Sequence, residues 1–323
     1  MAEPCRPGPG GRKAGRSIRR GGDPLSDYAV SLLARIGIEA FVALSAYVLL
    51  LVGRISFGQQ AFFVIGAYAG GLATAVCGMP MPAGVAIGAA AGALGGALLA
   101  APMAGARGLG FAAGSLAWGE LVRVALLGLR FQVPLGGDLV GPAGPDGFRG
   151  IRALFLSGLS LGAYTAAIWG LLAATALALA WVIRSRWGEA LRMIGEDESA
   201  AAVVGVPVRR GIAWTLAAAG ALAGLGGALF AHYATYVEPG HADVMLGVHS
   251  LAYGLIGGLG TPLGPILGVA MDVGLLESFR FLSGYRMIIF GGLLMGFLAL
   301  RPRGLLDEVT VHRFAGWLRR RRR

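Results

Sequence analysis

The chain has 323 residues, 56% of them hydrophobic and 14% charged, with 56 glycines, and its mean hydropathy is positive. That balance excludes a soluble globular domain of ordinary composition and points to an integral membrane protein. The formal net charge of +11 does not mark a nucleic-acid binder, because the basic residues gather at the chain ends and in connecting segments, where the positive-inside rule places them beside anionic headgroups.

Residues 1–27 mix Arg6, Arg12, Lys13, Arg16, Arg19 and Arg20 with glycine and proline. They lack the continuous apolar core of a signal peptide and read as a disordered basic cytoplasmic arm. A membrane domain over 28–306 follows, and a basic tail over 307–323 closes the chain on the same face. Uncharged runs span 55–106, 153–183, 211–237, 244–271 and 287–300, against the roughly 20 apolar residues that one crossing needs. They lack the alternation of barrel strands, so the fold class is an all-α polytopic helical bundle with about 8–10 transmembrane helices, some broken or re-entrant. Helices are expected over 28–52, 58–78, 82–104, 109–130, 160–184, 211–234, 244–274 and 286–301. Cys5 and Cys77 suggest neither a disulfide nor a metal site, and the four histidines share no ligand spacing.

Topology demands breaks. If the 185–210 connection and the C-terminus share the cytoplasmic face, the three predicted helices between them must provide an even number of crossings. The 244–274 segment is the place to break, because Gly257, Gly258, Gly260, Pro262, Gly264 and Pro265 interrupt it and proline removes a helix hydrogen bond. A similar break near "GRISFGQQ" would balance the first half.

Within the helices, Gly66 and Gly70, Gly88, Gly92 and Gly96, and Gly220 and Gly224 recur at spacing four, a pattern that lets helix backbones approach closely. Ser56, Gln59, Gln60 and Tyr68 are polar groups inside an uncharged run, which makes them candidates for lining a substrate path. Glu120 and Arg123, at spacing three, should pair locally. Asp272 and Glu277 are expected at the interface.

The polar island over 185–210 is the chain's most informative stretch. Glu196, Asp197 and Glu198 suit a helix's first turn, where negative charge complements the free amides. Ser199 to Val204 supply a small-residue body, Gly205 suits the left-handed position past the end, and Pro207 follows as a stop. A helix of about two turns is marginal alone, so it needs a surface to dock on, with Ala200 and Ala201 allowing a close approach. Lys13 is the only lysine and no Walker A sequence exists, so any ATP that drives transport would be bound by another subunit.

"ESAAAVVG", Glu198 to Gly205, resembles the coupling-loop motif of ABC importer permeases, and "RMIGEDESAAAVVGV" resembles its version in the LivH/LivM branched-chain amino acid permeases. "SFGQQAFFVIGAYAGG", "RGLGFAAGSLAWGELVR", "GGLGTPLGPILG" and "YRMIIFGGLLMGFLALRPRGLL" resemble further signatures of that family in order, over roughly residues 37–306. The resemblance implies a bacterial inner-membrane permease surrounded by lipid. It would pair with a second homologous permease, two cytoplasmic ATPases carrying ATP and Mg, and a periplasmic binding protein. It implies import of branched-chain amino acids or a related small solute such as urea or an amide. By the same resemblance Glu196, Asp197, Glu198, Ala200, Ala201 and Gly205 would engage the ATPase. A nucleotide-independent transporter or channel would need charged ion-coupling residues at the midplane, which the uncharged runs argue against. A membrane enzyme would need a convergent catalytic set, and none is found.

Overall fold

A computed structural model describes residues 24–135, 138–278, 285–300 and 304; most of the N-terminal arm and all of the basic tail lie outside the described residues. The main helices are α1 (Pro24–Leu51), α2 (Gln59–Ala75), α3 (Met81–Met103), α4 (Gly108–Gly128), α6 (Leu161–Ile183), α9 (Val208–Ala234), α10 (Val244–Gly257), α11 (Leu263–Ser278) and α12 (Arg286–Leu300). Their order and bounds follow the apolar runs closely. One difference is that α1 takes in Pro24 to Asp27, which the sequence assigned to the arm. Five of the described helices are long and apolar enough to cross a membrane by themselves.

The centre of the bundle is built from backbone rather than side chains. A Cβ placed on Gly66 would collide with the backbone of Gly224, one on Gly92 with Gly220 O, and one on Gly96 with Leu216 O. The glycines at spacing four therefore bring α2, α3 and α9 into van der Waals contact, which is how helices associate where lipid supplies no hydrophobic drive. Around this seam pack the fully buried Phe41, Leu44, Tyr47, Tyr164 and Ile168.

Directions follow from neighbours. Thr165 Oγ1 and Trp169 Nε1 at the start of α6 meet Val30 O and Leu33 O at the start of α1. The other end of α1, at Gly53, lies against Gly195 beyond the end of α6. Hence α1 and α6 run parallel from one face of the bundle to the other. Their starting face carries a small antiparallel sheet ordered β1 (Val133–Leu135), β2 (Asp138–Pro142), β3 (Phe148–Arg149) and β4 (Tyr236–Val237). With the one-turn helix α5 (Ala153–Leu156), it gives structure to a connection that the sequence showed only as Gly- and Pro-rich. Phe148 pairs with Val237 across β3 and β4 and packs beside Tyr68 of α2, so the sheet seals that end of the bundle.

Two topology expectations resolve differently. The 244–274 segment is indeed two helices: Gly257 lies on the backbone of Gly264, and Gly268 on that of Tyr253, so α10 and α11 form an antiparallel hairpin. Gly304 returns beside Gly258 and Leu255, so α9 to α12 make an even number of passes. In the first half no crossing is added at "GRISFGQQ". Gly53 takes φ +68, residues 54–57 run without helix, and α2 begins inside the bundle. The parity is met instead by α1 starting on the face opposite residue 304. The expectation of a shared face for both ends is thus corrected: charge in the arm suggested one side, and packing of α1 against α6 sets the other.

Asp272 is also displaced from expectation. It is 2% exposed and accepts a hydrogen bond from Tyr253 Oη at 2.9 Å, so it is core rather than interfacial.

If backbone contact carries the bundle, Gly224→Leu should cost about 3 kcal/mol or more, whereas Gly170→Leu, with nothing within 4 Å of its Cβ position, should be neutral. Thermal unfolding of the purified protein in detergent measures both.

Candidate functional site

The polar island folds as two helices. Helix α7 (Arg186–Glu196) is amphipathic, burying Gly188 and Ile194, and α8 (Glu198–Val203) follows after the single residue Asp197. Asp197 is extended, with φ −153 and ψ 109, and its Oδ1 accepts from Ser199 N at 2.7 Å and Ala200 N at 3.1 Å. It is an N-cap that satisfies two of the free first-turn amides. Glu196 is corrected: it closes α7 and does not enter the first turn of α8. At the far end Gly205 N donates to Ala202 O and Val206 N to Ala201 O, both at 3.0 Å, with Gly205 at φ +87. That is the Schellman stop.

Nothing lies within 4 Å of a Cβ built on Gly205, so its left-handed backbone, not crowding, calls for glycine. Gly195 is constrained the other way: a Cβ there would strike Leu51 O, so α7 rests on the end of α1 backbone to backbone.

Ala200 and Ala201 do not share a face. Ala201 is 1% exposed and packs with Leu49, Val52, Phe111, Ile194 and Ile212, while Ala200 faces outward. Beside Ala200, Val203 and Val204 are 87% and 68% exposed. The short helix thus has an inner face that docks on its own bundle and an outer apolar face left uncovered.

Glu198 anchors the inner face. Its Oε1 lies 2.6 Å from Arg54 Nη2 and its Oε2 2.7 Å from Arg107 Nε. Arg54 is 2% exposed, and its guanidinium also stacks 5.4 Å over the Phe111 ring. Burial pulls the Arg54 pKa down and the Glu198 carboxylate pushes it back up, so each charge depends on the other. Sequence reasoning missed both arginines. The available signal was that Arg54 and Arg107 bracket the long uncharged run as isolated charges.

Arg54 also links this site to membrane depth. The chain runs from Arg54 through Ser56, which is fully buried and whose Oγ accepts from Gly58 N at 3.2 Å. Phe57 N donates to Ser115 Oγ of α4 at 3.0 Å. Gln59 and Gln60 come next, fully buried, with no hydrogen-bond partner for either carboxamide among the described residues. Gln60 lies against Gly119, about 16 Å along α4 from its start at 1.5 Å per residue. Tyr68 is not brought together with them: two turns further on, its Oη reaches Val237 O of the sheet at 3.5 Å.

The helix-break residues separate too. Gly257 ends α10 and Gly258 takes φ +90. Gly260 and Pro262 line a cavity of about 480 Å³ beside Arg184, Glu189 and Arg192. Gly264 and Pro265 sit in the first turn of α11, where a missing amide costs nothing.

Apolar helices joined through glycine, with a clamped short helix at one end and unpaired carboxamides at depth, describe a polytopic α-helical membrane permease. The family model for the permease component of branched-chain amino acid transport systems matches residues 28–298, and the chain belongs to that family. It is 31% identical over 125 residues to the high-affinity branched-chain amino acid transport system permease protein LivM of Escherichia coli K12, covering 39% of this chain and 29% of that one. It is 30% identical over 152 residues to LivH of the same strain, covering 46% and 49%. With BraD of Pseudomonas aeruginosa it shares 29% over 136 residues, 41% and 44% of the two chains. The chain thus spans less than half the length of the curated relatives it matches. No solved structure matches it.

Removing Glu198 would strand a buried arginine. Glu198→Ala should destabilise the protein by about 3–5 kcal/mol, whereas Arg107→Ala, at a position 64% exposed, should cost less than about 1 kcal/mol. Denaturation of the detergent-solubilised protein checks the contrast.

Proposed function

We propose that the chain is the membrane-spanning subunit of an ABC importer, moving a branched-chain amino acid handed over by a periplasmic binding protein. Two ATPase subunits on the cytoplasmic side would supply the energy, and a second permease of the same kind would complete the path. The observation that carries this reading is the two-sided α8: its Glu198 and Ala201 are locked to the bundle, while Ala200, Val203 and Val204 stand uncovered. A six-residue helix held so firmly, with apolar side chains turned to solvent, is built to be gripped by another protein.

Orientation follows from charge. Arg54, Arg107, Arg184, Arg186, Arg192, Arg209 and Arg210 gather around α7 and α8, against Arg130, Arg149 and Arg152 near the sheet. The positive-inside rule then puts α8 in the cytoplasm and the sheet in the periplasm of an inner-membrane protein. Branched-chain amino acids are favoured over urea or an amide because the names of the relatives specify them.

Movement of α8 by the ATPases would pass through Glu198 to Arg54, and from there along residues 54–58 to Gln59 and Gln60. The coupling face and the unpaired carboxamides are thereby linked by a short, buried stretch of chain.

Val203→Asp places a charge on the uncovered face without touching the bundle. In proteoliposomes with the ATPases and binding protein, it should cut substrate-stimulated ATP hydrolysis and leucine uptake at least tenfold while leaving the permease folded. Unchanged docking and uptake would count against the coupling role.

A further inference from the structure

An ion pair exposed at membrane depth has to be covered by protein or lie on a wet path. Glu120 and Arg123 form such a pair on α4: Arg123 Nε donates to Glu120 Oε2 at 2.9 Å and Nη2 to Oε1, with the side chains 50% and 35% exposed. Glu120 stands about 18 Å along α4 from its start, so the pair is far from α8. Gly114, on one flank of α4, packs on Met103 at the end of α3. The pair lies on the other flank, beside the buried line of Ser115, Gly119, Val122 and Leu126. That flank looks toward α10, where the Asp243 carboxylate adds its field at Arg123.

Behind the pair lies Gln60. Its Nε2 occupies the place a Cβ on Gly119 would need, and its Oε1 lies 2.6 Å from where a Cβ on Gly247 of α10 would be. Glycine in both walls lets the fully buried, unpartnered carboxamide enter the seam between α4 and α10. On the α10 side of that seam Val244, 38% exposed, falls on one flank with Gly247, one turn away by helical spacing. The seam therefore offers opposite charges one helical turn apart, a buried amide whose donor and acceptor are both unpartnered, and an apolar side chain.

We infer that the α4–α10 seam holds the zwitterionic head of the transported amino acid, with Arg123 taking its carboxylate, Glu120 its ammonium, Gln60 a further hydrogen bond, and Val244 meeting its aliphatic side chain. The chemistry suits the depth. When the site is empty the pair neutralises itself, and when it is filled each charge meets its opposite on the substrate, so no lone charge is stranded in either state. A substrate lacking either charge would leave one member of the opened pair unmatched. This inference rests on the function proposed above.

The test uses the whole transporter in proteoliposomes with its binding protein and leucine as the probe. Absence of leucine uptake by the wild type would overturn the proposed function, and this inference with it. Given uptake, the reversed pair Glu120→Arg/Arg123→Glu separates the two roles: a purely structural pair survives reversal, whereas a site walled asymmetrically by Asp243 and Gln60 does not. Uptake should fall at least tenfold in the reversed variant, and likewise in Gln60→Leu, with co-purification of the ATPases retained. Uptake within twofold of wild type for the reversed pair overturns the inference. If the reversed pair fails to assemble, Gln60→Leu decides alone, and uptake within twofold of wild type overturns it.

Discussion

The contact of bare backbone between α2, α3 and α9 is the constraint on which the rest depends. Gly66, Gly88, Gly92, Gly220 and Gly224 let three helices approach more closely than any side chain permits, and in lipid that proximity is a main source of cohesion. Because α9 begins just after α8, its position against α3 fixes where that short helix emerges. Because α2 is held in the same seam, its first residues are fixed inside the bundle and not at the surface.

Around that centre, polar groups are placed according to depth. At the end of the bundle that carries α8, Glu198 pairs with two arginines, one of them buried, and the short helix needs this support because so few residues hold no helix unaided. Deeper in, the carboxamides of Gln59 and Gln60 stand without partners, a costly arrangement in a protein interior. Other buried polar groups are matched, among them Tyr164, which donates to Leu229 O at 2.7 Å, and His232, which lies between Ala228 O and Thr74 Oγ1.

Much of the fold is legible in the sequence, because uncharged length, glycine spacing and proline position act locally. The helix bounds, the α10–α11 break, the Glu120 and Arg123 pair and the Gly205 stop each follow from residues a few positions apart. Glu196, Ala201 and Tyr68 show the opposite case. Whether a residue ends one helix or starts the next, or faces the bundle or the solvent, depends on neighbours distant in sequence. Arg54 illustrates this most clearly, since its partner Glu198 is far along the chain and no local pattern connects them.

The sequence by itself determined that this is a membrane bundle of helices, where those helices lie, and that residues 198–205 form a short helix with a glycine stop, since all of these rest on hydrophobic length and backbone preference. Only the tertiary structure decided which face α1 starts from, which side of α8 is free, and that Gln60 reaches a seam walled by Gly119 and Gly247. Those outcomes are set by packing between segments distant in sequence, which no local pattern of hydropathy or charge encodes.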